Sequence, residues 1–268
     1  MYQANNPLQR LQKNPEKDIQ SDIQNDIQGI LLVNKPKGKT AFSLVACLRR
    51  ILGVKKIGHA GTLDPFATGV MVMLVGKSFT RLSDSFLGAD KEYIGRVHLG
   101  ITTDTFDCDG QITNQSDIIP TREMLDEAIL HFQGEIEQIP PMYSAKKQNG
   151  KKLYELARQG KTVERAPVKI KLQTRILGYE YPFVDIAVSC SKGTYIRSIA
   201  FDFGVKLGCG GHLVALERVR SGAFRIEDCY DGALLHEVWH SQAQAQDLIQ
   251  RIDLQTLRES VKTALRIG

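Results

Sequence analysis

Apolar positions along this chain fall into short runs, some continuous and some alternating. Residues 29–33 and 70–75 are continuous apolar runs, the pattern of strands covered on both faces. Residues 91–99 and 183–190 alternate apolar and polar, as half-covered strands do. Residues 41–52 carry Phe42, Val45, Leu48 and Leu52 at helical spacing, and 121–132 and 196–207 also read as helices. Strands and helices do not alternate strictly. The fold class expected is therefore α+β, a mixed, mostly antiparallel sheet with flanking helices. Residues 1–28 form a polar extension with Asp-Ile-Gln three times at a four-residue period, which would align Ile19, Ile23 and Ile27. Residues 233–268 suggest one or two closing helices through Leu248, Ile252, Leu257, Val261 and Leu265. Residues 29–232 lie between these two segments.

Composition adds little to this picture. The 268 residues are 42% hydrophobic and 24% charged, ordinary for a globular protein. No apolar run reaches membrane-spanning length, and the N-terminus lacks a signal-peptide pattern. Five scattered cysteines without a C-x-x-C read as reduced thiols. A cytoplasmic location is expected. Charge is more informative. Within a net +5, residues 140–171 hold nine basic residues against Glu155 and Glu164, with Tyr143 and Tyr154 interleaved. That local excess points to a polyanion, most simply nucleic acid.

The candidate chemistry centres on residues 58–69, Gly-His-Ala-Gly-Thr-Leu-Asp-Pro-Phe-Ala-Thr-Gly. Glycines let this loop turn tightly, Pro65 fixes its own φ, and Asp64 is held at the centre. A carboxylate so held suits a nucleophile or general base. The plainer reading is a turn residue capping a backbone N–H. Arg197 falls in the first turn of the 196–207 helix, where the dipole disfavours a cation. A carboxylate partner would offset this, and Asp64 is the natural one. Such a pair keeps an acid ionised and fixes its direction by two parallel hydrogen bonds. Gly38-Lys39-Thr40 and Gly76-Lys77-Ser78 end like phosphate loops but lack the upstream glycine. His236-Glu237-Val238-Trp239-His240, with Glu259, satisfies a zinc-protease pattern. That reading leaves the 58–69 loop and the basic segment unused. A non-catalytic RNA-folding factor is a further alternative.

Several ordered segments resemble the bacterial tRNA pseudouridine synthase B (TruB) family over residues 29–232. They include Asn34-Lys35-Pro36-x-Gly38, the 58–69 loop, Asp90-Lys91-x-Tyr93 and Gly100-x-x-Thr103-Asp104-Thr105-x-Asp107-x-x-Gly110. Pro140 to Lys147, Leu153 to Gly160 and Cys190 to Arg197 complete the set. The chain departs from the pattern at Lys39-Thr40-Ala41, at Glu217 and at Ala223. It resembles a short form lacking a C-terminal PUA domain. The resemblance implies isomerisation of uridine 55 in the tRNA T-loop to pseudouridine, in the central cleft of a pseudouridine synthase fold. It implies Asp64, Tyr93 and Arg197 as catalytic residues. Tyr93 would lie against the base and is a candidate for removing the C5 proton. His59, Tyr195 and Leu216 would contact the substrate, with Lys35 and Pro36 supporting the pocket loop. Lys146, Lys147, Lys151 and Lys152 would bind RNA from a thumb-like insertion at 140–165. The partner implied is the tRNA T-stem-loop. No cofactor, metal, membrane or obligate protein partner is implied, and a monomer is expected.

Overall fold

The computed structural model describes residues 27–148 and 150–238. Fourteen strands run in chain order: β1 (Gly29–Lys35), β2 (Ile57–Ala60), β3 (Thr68–Val75), β4 (Lys91–Leu99), β5 (Ile101–Thr103), β6 (Ile112–Gln115), β7 (Gln133–Gln138), β8 (Lys147–Gln148), β9 (Lys151–Lys152), β10 (Val168–Glu180), β11 (Phe183–Cys190), β12 (Gly211–Ser221), β13 (Phe224–Arg225) and β14 (Tyr230–Asp231). The helices are α1 (Ala41–Leu52), α2 (Lys77–Thr80), α3 (Ser83–Leu87), α4 (Arg122–Ala128), α5 (Leu153–Ala157), α6 (Ile196–Lys206) and α7 (Gly232–Val238). Ten strands share one sheet, ordered β14-β1-β3-β12-β4-β11-β10-β7, with β2 on β3 and β13 on β12. Within it β1–β14 and β3–β12 are parallel, and the other pairings are antiparallel. The mixed, mostly antiparallel α+β expectation holds.

Residues 70–75 are continuously apolar because β3 is covered on both sides. Met71, Met73 and Val75 face the main core with Leu44 and Leu48 of α1, Leu125 of α4 and Phe203 of α6. Val70, Val72 and Leu74 face a second cluster with Ile30, Phe86 and Phe224. β4 alternates as expected, with Lys91, Tyr93, Val97 and Leu99 on its buried side.

Helix α1 occupies its expected span. Thr40 caps it by accepting from Ser43 N–H at 3.0 Å, and Gly53 ends it in the left-handed region. Its buried face is Ala41, Leu44, Val45, Cys47, Leu48 and Leu52. Phe42 departs from the expectation: it lies about a quarter-turn off that stripe and is 70% exposed. The helix expected at 121–132 is α-helical only to Ala128 and closes with a 3-10 turn over Ile129–His131. The basic 140–171 segment also divides. Lys169 and Lys171 belong to β10, and Lys169 pairs with Glu135 on β7 at 3.2 Å. The helical reading of residues 1–28 lies almost wholly outside the described residues, as does the tail beyond Val238. The zinc-protease pattern lies outside them too, at the side chains of His236 and Glu237 and at His240 and Glu259.

One close approach sets the site. β3 and β12 run parallel, pairing Thr68 with Glu217 and Gly69 with Arg218. Gly69 has φ +107°, and a Cβ there would sit 2.3 Å from the Arg218 carbonyl oxygen. Only glycine permits that contact. It brings the loop entering β3 over the middle of the sheet, beside β4 and β12.

Candidate active site

Asp64 sits on the loop between β2 and β3. The Asp64 carbonyl accepts from Ala67 N–H at 3.1 Å, and the Pro65 carbonyl accepts from Gly38 N–H at 2.8 Å. Lys35 ties the same region together. Its Nζ donates to the carbonyls of Pro36, Lys39 and Pro65 at 3.0, 2.7 and 3.1 Å. Lys35 is completely buried, and burial lowers its pKa to about 8, against the opposing pull of Asp64. All three of its donors have acceptors within the protein. Lys35 therefore supports the pocket loop from within the protein, and neither it nor Pro36 lines the cleft.

Arg197, at the start of α6, meets Asp64 as the helix-dipole argument anticipated. Nε lies 2.9 Å from Oδ2 and Nη2 lies 3.2 Å from Oδ1. The Arg197 side chain is 5% exposed and that of Asp64 35%. The guanidinium's other donors reach Thr105 O at 2.9 Å, Asp107 Oδ2 at 3.2 Å and Tyr143 O at 2.7 Å. Each of its three nitrogens lies within hydrogen-bond or ion-pair distance of an oxygen. One side chain thus joins the Asp64 loop, the 105–107 loop and the base of the 140–165 insertion. The start of α6 is fixed in turn by a reciprocal amide pair. Gln138 Nε2 donates to Tyr195 O at 3.0 Å, and Gln138 Oε1 accepts from Tyr195 N–H at 2.8 Å.

Asp107 is the main residue that the sequence reading left without a role, although it stands inside a quoted motif. Its carboxylate is buried and accepts from the Thr105 hydroxyl at 2.6 Å and Asp109 N–H at 3.0 Å. Burial pushes this carboxyl up, against the pull of those donors and of Arg197. Phe106, between two Arg197 partners, adopts φ +64° and stacks on Phe201 of α6 with ring centroids 4.0 Å apart. A bulky residue in that region costs about 1–2 kcal/mol, held here by the ring stack and the arginine contacts on either side.

The cleft above Asp64 has a volume of about 660 Å³. Tyr93, Tyr195 and Leu216 line it, as expected, together with Lys91, Arg218, Tyr154 and Arg158. Tyr93 is nearly buried and burial pushes its phenol up, so the protonated phenol prevails at neutral pH. That state suits packing against a base better than removing a proton from it. Arg218 is fully buried, donating to Val70 O at 2.8 Å and Gly61 O at 2.9 Å. Lys91 donates to the carbonyls of Leu87 and Ala89, and burial followed by Arg218 brings its pKa down to about 8. Both were missed. Their signal was a basic residue at an inward position of a strand.

His59 lies on β2 outside the cleft lining, with Nδ1 buried and without a partner. Burial and Arg218 push its pKa down. The thumb lysines sit on the β8–β9 hairpin, where Lys147 pairs with Lys152 and Gln148 with Lys151. Lys146, Lys147 and Lys151 are exposed. None of the four lines the cleft. From the insertion, Tyr143, Ser144, Ala145, Tyr154 and Arg158 line it, and Lys152 and Arg158 each lie 5.4 Å from the Tyr154 ring centroid.

A rigid aspartate clamped by a buried arginine, under an open cleft on this mixed sheet, defines a pseudouridine synthase fold. The chain superposes with TM-score 0.62 and 29% identity on a chain of "Crystal Structure of a Cbf5-Nop10-Gar1 Complex", covering 85% of this chain and 60% of that one. It superposes with TM-score 0.57 and 28% identity on one from "Structure of H/ACA RNP bound to a substrate RNA containing 2'-deoxyuridine", covering 83% and 55%. It thus spans less than two thirds of either. Residues 49–196 match the TruB family pseudouridylate synthase N-terminal domain, and 197–263 match the tRNA pseudouridylate synthase B C-terminal domain. Proteins named tRNA pseudouridine synthase B are similar over most of their length. One from Protochlamydia amoebophila is 67% identical over 79% of this chain and 80% of its own, and one from Chlamydia felis is 61% identical over 78% and 88%. The chain belongs to the TruB family of pseudouridylate synthases.

Proposed function

We propose that this protein isomerises uridine 55 in the T-loop of tRNA to pseudouridine, with Asp64 as the catalytic carboxylate. The Asp64–Arg197 pair carries the reading: a half-exposed acid in a fixed direction at the floor of a nucleoside-sized cleft. The family and its relatives' name support tRNA as substrate, and the motif set supports the T-loop position.

The reaction is an internal exchange. The C1′–N1 bond breaks, the uracil rotates, C5 bonds to C1′, and the proton leaves C5 as N1 gains one. A carboxylate can serve as nucleophile or as a base at the ribose, and both routes use the geometry found. Arg197 grips both oxygens yet leaves each a free lone pair. Tyr93 and Leu216 offer surfaces for the flipped base. Arg218 and Lys91 make the floor positive, which favours charge developing on the uracil oxygens. Flipping costs roughly a few kcal/mol, and phosphate contacts by the thumb offset it. The protein acts on RNA as a monomer in this reading. Mapping pseudouridine in an unmodified tRNA transcript tests the assignment. Product at position 55 and none in a U55C transcript is expected, and product elsewhere overturns it.

A further inference from the structure

A second basic surface, separate in sequence from the thumb, leads up to the Asp64 loop. Residues 27–63 contain seven lysines and arginines and no aspartate or glutamate. Lys35 is the buried one. The other six are exposed and follow α1 from end to end: Lys37 and Lys39 before its cap, Arg49 and Arg50 in its last turn, Lys55 and Lys56 after Gly53. Solvated protein surfaces ordinarily interleave both signs. Among the described residues no carboxylate pairs with Lys37, Lys39, Lys55 or Lys56. Phe42 stands in the first turn of the same helix, 70% exposed, on the face it shares with Arg49 seven residues on.

We propose that this ridge is a second RNA-binding surface. Its cations hold the phosphate backbone of the tRNA, and Phe42 offers a ring on which a base stacks. The proposal rests on tRNA being the substrate. Three observations favour RNA as the occupant. The ridge is of one sign and carries an exposed aromatic ring, the pairing that single-stranded nucleic acid uses. It begins beside the cleft: Lys37 and Lys39 flank Gly38, whose N–H meets the carbonyl of the cleft-lining Pro65 at 2.8 Å. It is also locked to the catalytic loop through Gly38 N–H and Lys35 Nζ, both on Pro65 O. RNA held there is held in register with Asp64. The twelve residues of α1 span about 18 Å, room for several phosphates.

The test is the salt dependence of tRNA binding by the full chain, with four proteins that melt alike. These are wild type, a ridge variant (Lys37→Gln, Lys39→Gln, Lys55→Gln, Lys56→Gln), a thumb variant (Lys146→Gln, Lys147→Gln, Lys151→Gln, Lys152→Gln), and Phe42→Ala. The ridge variant should flatten the log–log slope by about 0.7–0.9 for each phosphate it no longer neutralises, independently of the thumb variant. Phe42→Ala should weaken binding severalfold at every salt concentration with the slope unchanged, and Phe42→Trp should restore it. A ridge variant with the wild-type slope overturns the surface, and Phe42→Ala with wild-type affinity overturns the stacking. Failure of the functional reading appears separately, as wild-type protein that binds tRNA with the same slopes but forms no pseudouridine.

Discussion

Replacing Arg197 by Met removes three hydrogen bonds and its ion-pair contacts with Asp64 and Asp107 at once, and the structure separates their consequences. The Asp107 side chain is 7% exposed, and breaking a buried pair from one side costs about 3–5 kcal/mol. Asp64 is 35% exposed, so solvent screening reduces its share to about 0–1 kcal/mol. Water entering the cleft can satisfy the carbonyls of Thr105 and Tyr143. A loss of roughly 4 kcal/mol lowers the melting temperature by about 8–16 °C for a protein of this size. Asp107→Asn in the same protein should return part of it, because no unpaired charge then remains, with a coupling of about 1–3 kcal/mol. The pH dependence has a definite sign. Burial already pushes the Asp107 carboxyl up, and without Arg197 it rises further. A raised acid contributes stability below its unfolded value of 3.8 that is lost as pH rises through the folded value. The Met variant's deficit should therefore shrink as pH falls toward 4. Calorimetry on wild type, both single variants and the double variant reads all of this. A Met variant melting within about 2 °C of wild type, or strict additivity with Asp107→Asn, would refute the shared-arginine account.

The remaining predictions concern other parts of the framework. Gly69→Ala should prevent stable folding, since its Cβ meets the Arg218 backbone at 2.3 Å, whereas Gly38→Ala, with φ +79° and nothing within 4 Å, should cost about 1–2 kcal/mol; paired thermal melts compare them. Lys91 has a folded pKa of about 8 against 10.5 unfolded, so the unfolded chain binds the extra proton between those values and stability rises with pH there. Lys91→Met should lose that part of the rise in denaturant titrations run across the window. The four thumb lysines changed together to Gln should flatten the salt dependence of tRNA binding by about 0.7–0.9 for each phosphate left without its lysine, with a thermal melt like wild type.

Asp64 and Arg197 were legible in the sequence because each is locally odd. One is an acid centred in a glycine-bounded loop, and the other is a cation at a helix start. Both oddities ask for a partner, and the structure joins them across 133 residues. Asp107 and Arg218 were not legible as site residues. Their contacts, with Arg197 and with Gly61, depend on sheet order that no local pattern encodes. The way Lys35 ties the pocket loop together was not legible either, because the three carbonyls that solvate it internally come from separate turns. Continuous and alternating apolar runs gave β1, β3, β4 and β11. Strand β10 alternates equally well, but its outward lysines were counted with the basic insertion.

The most direct test of the central claim is single-turnover pseudouridine formation on unmodified tRNA by Asp64→Asn. Asparagine keeps the shape of the side chain and removes its charge. The account predicts a variant that folds, binds tRNA with near wild-type affinity and forms no detectable pseudouridine. A variant that binds and turns over near the wild-type rate would contradict it.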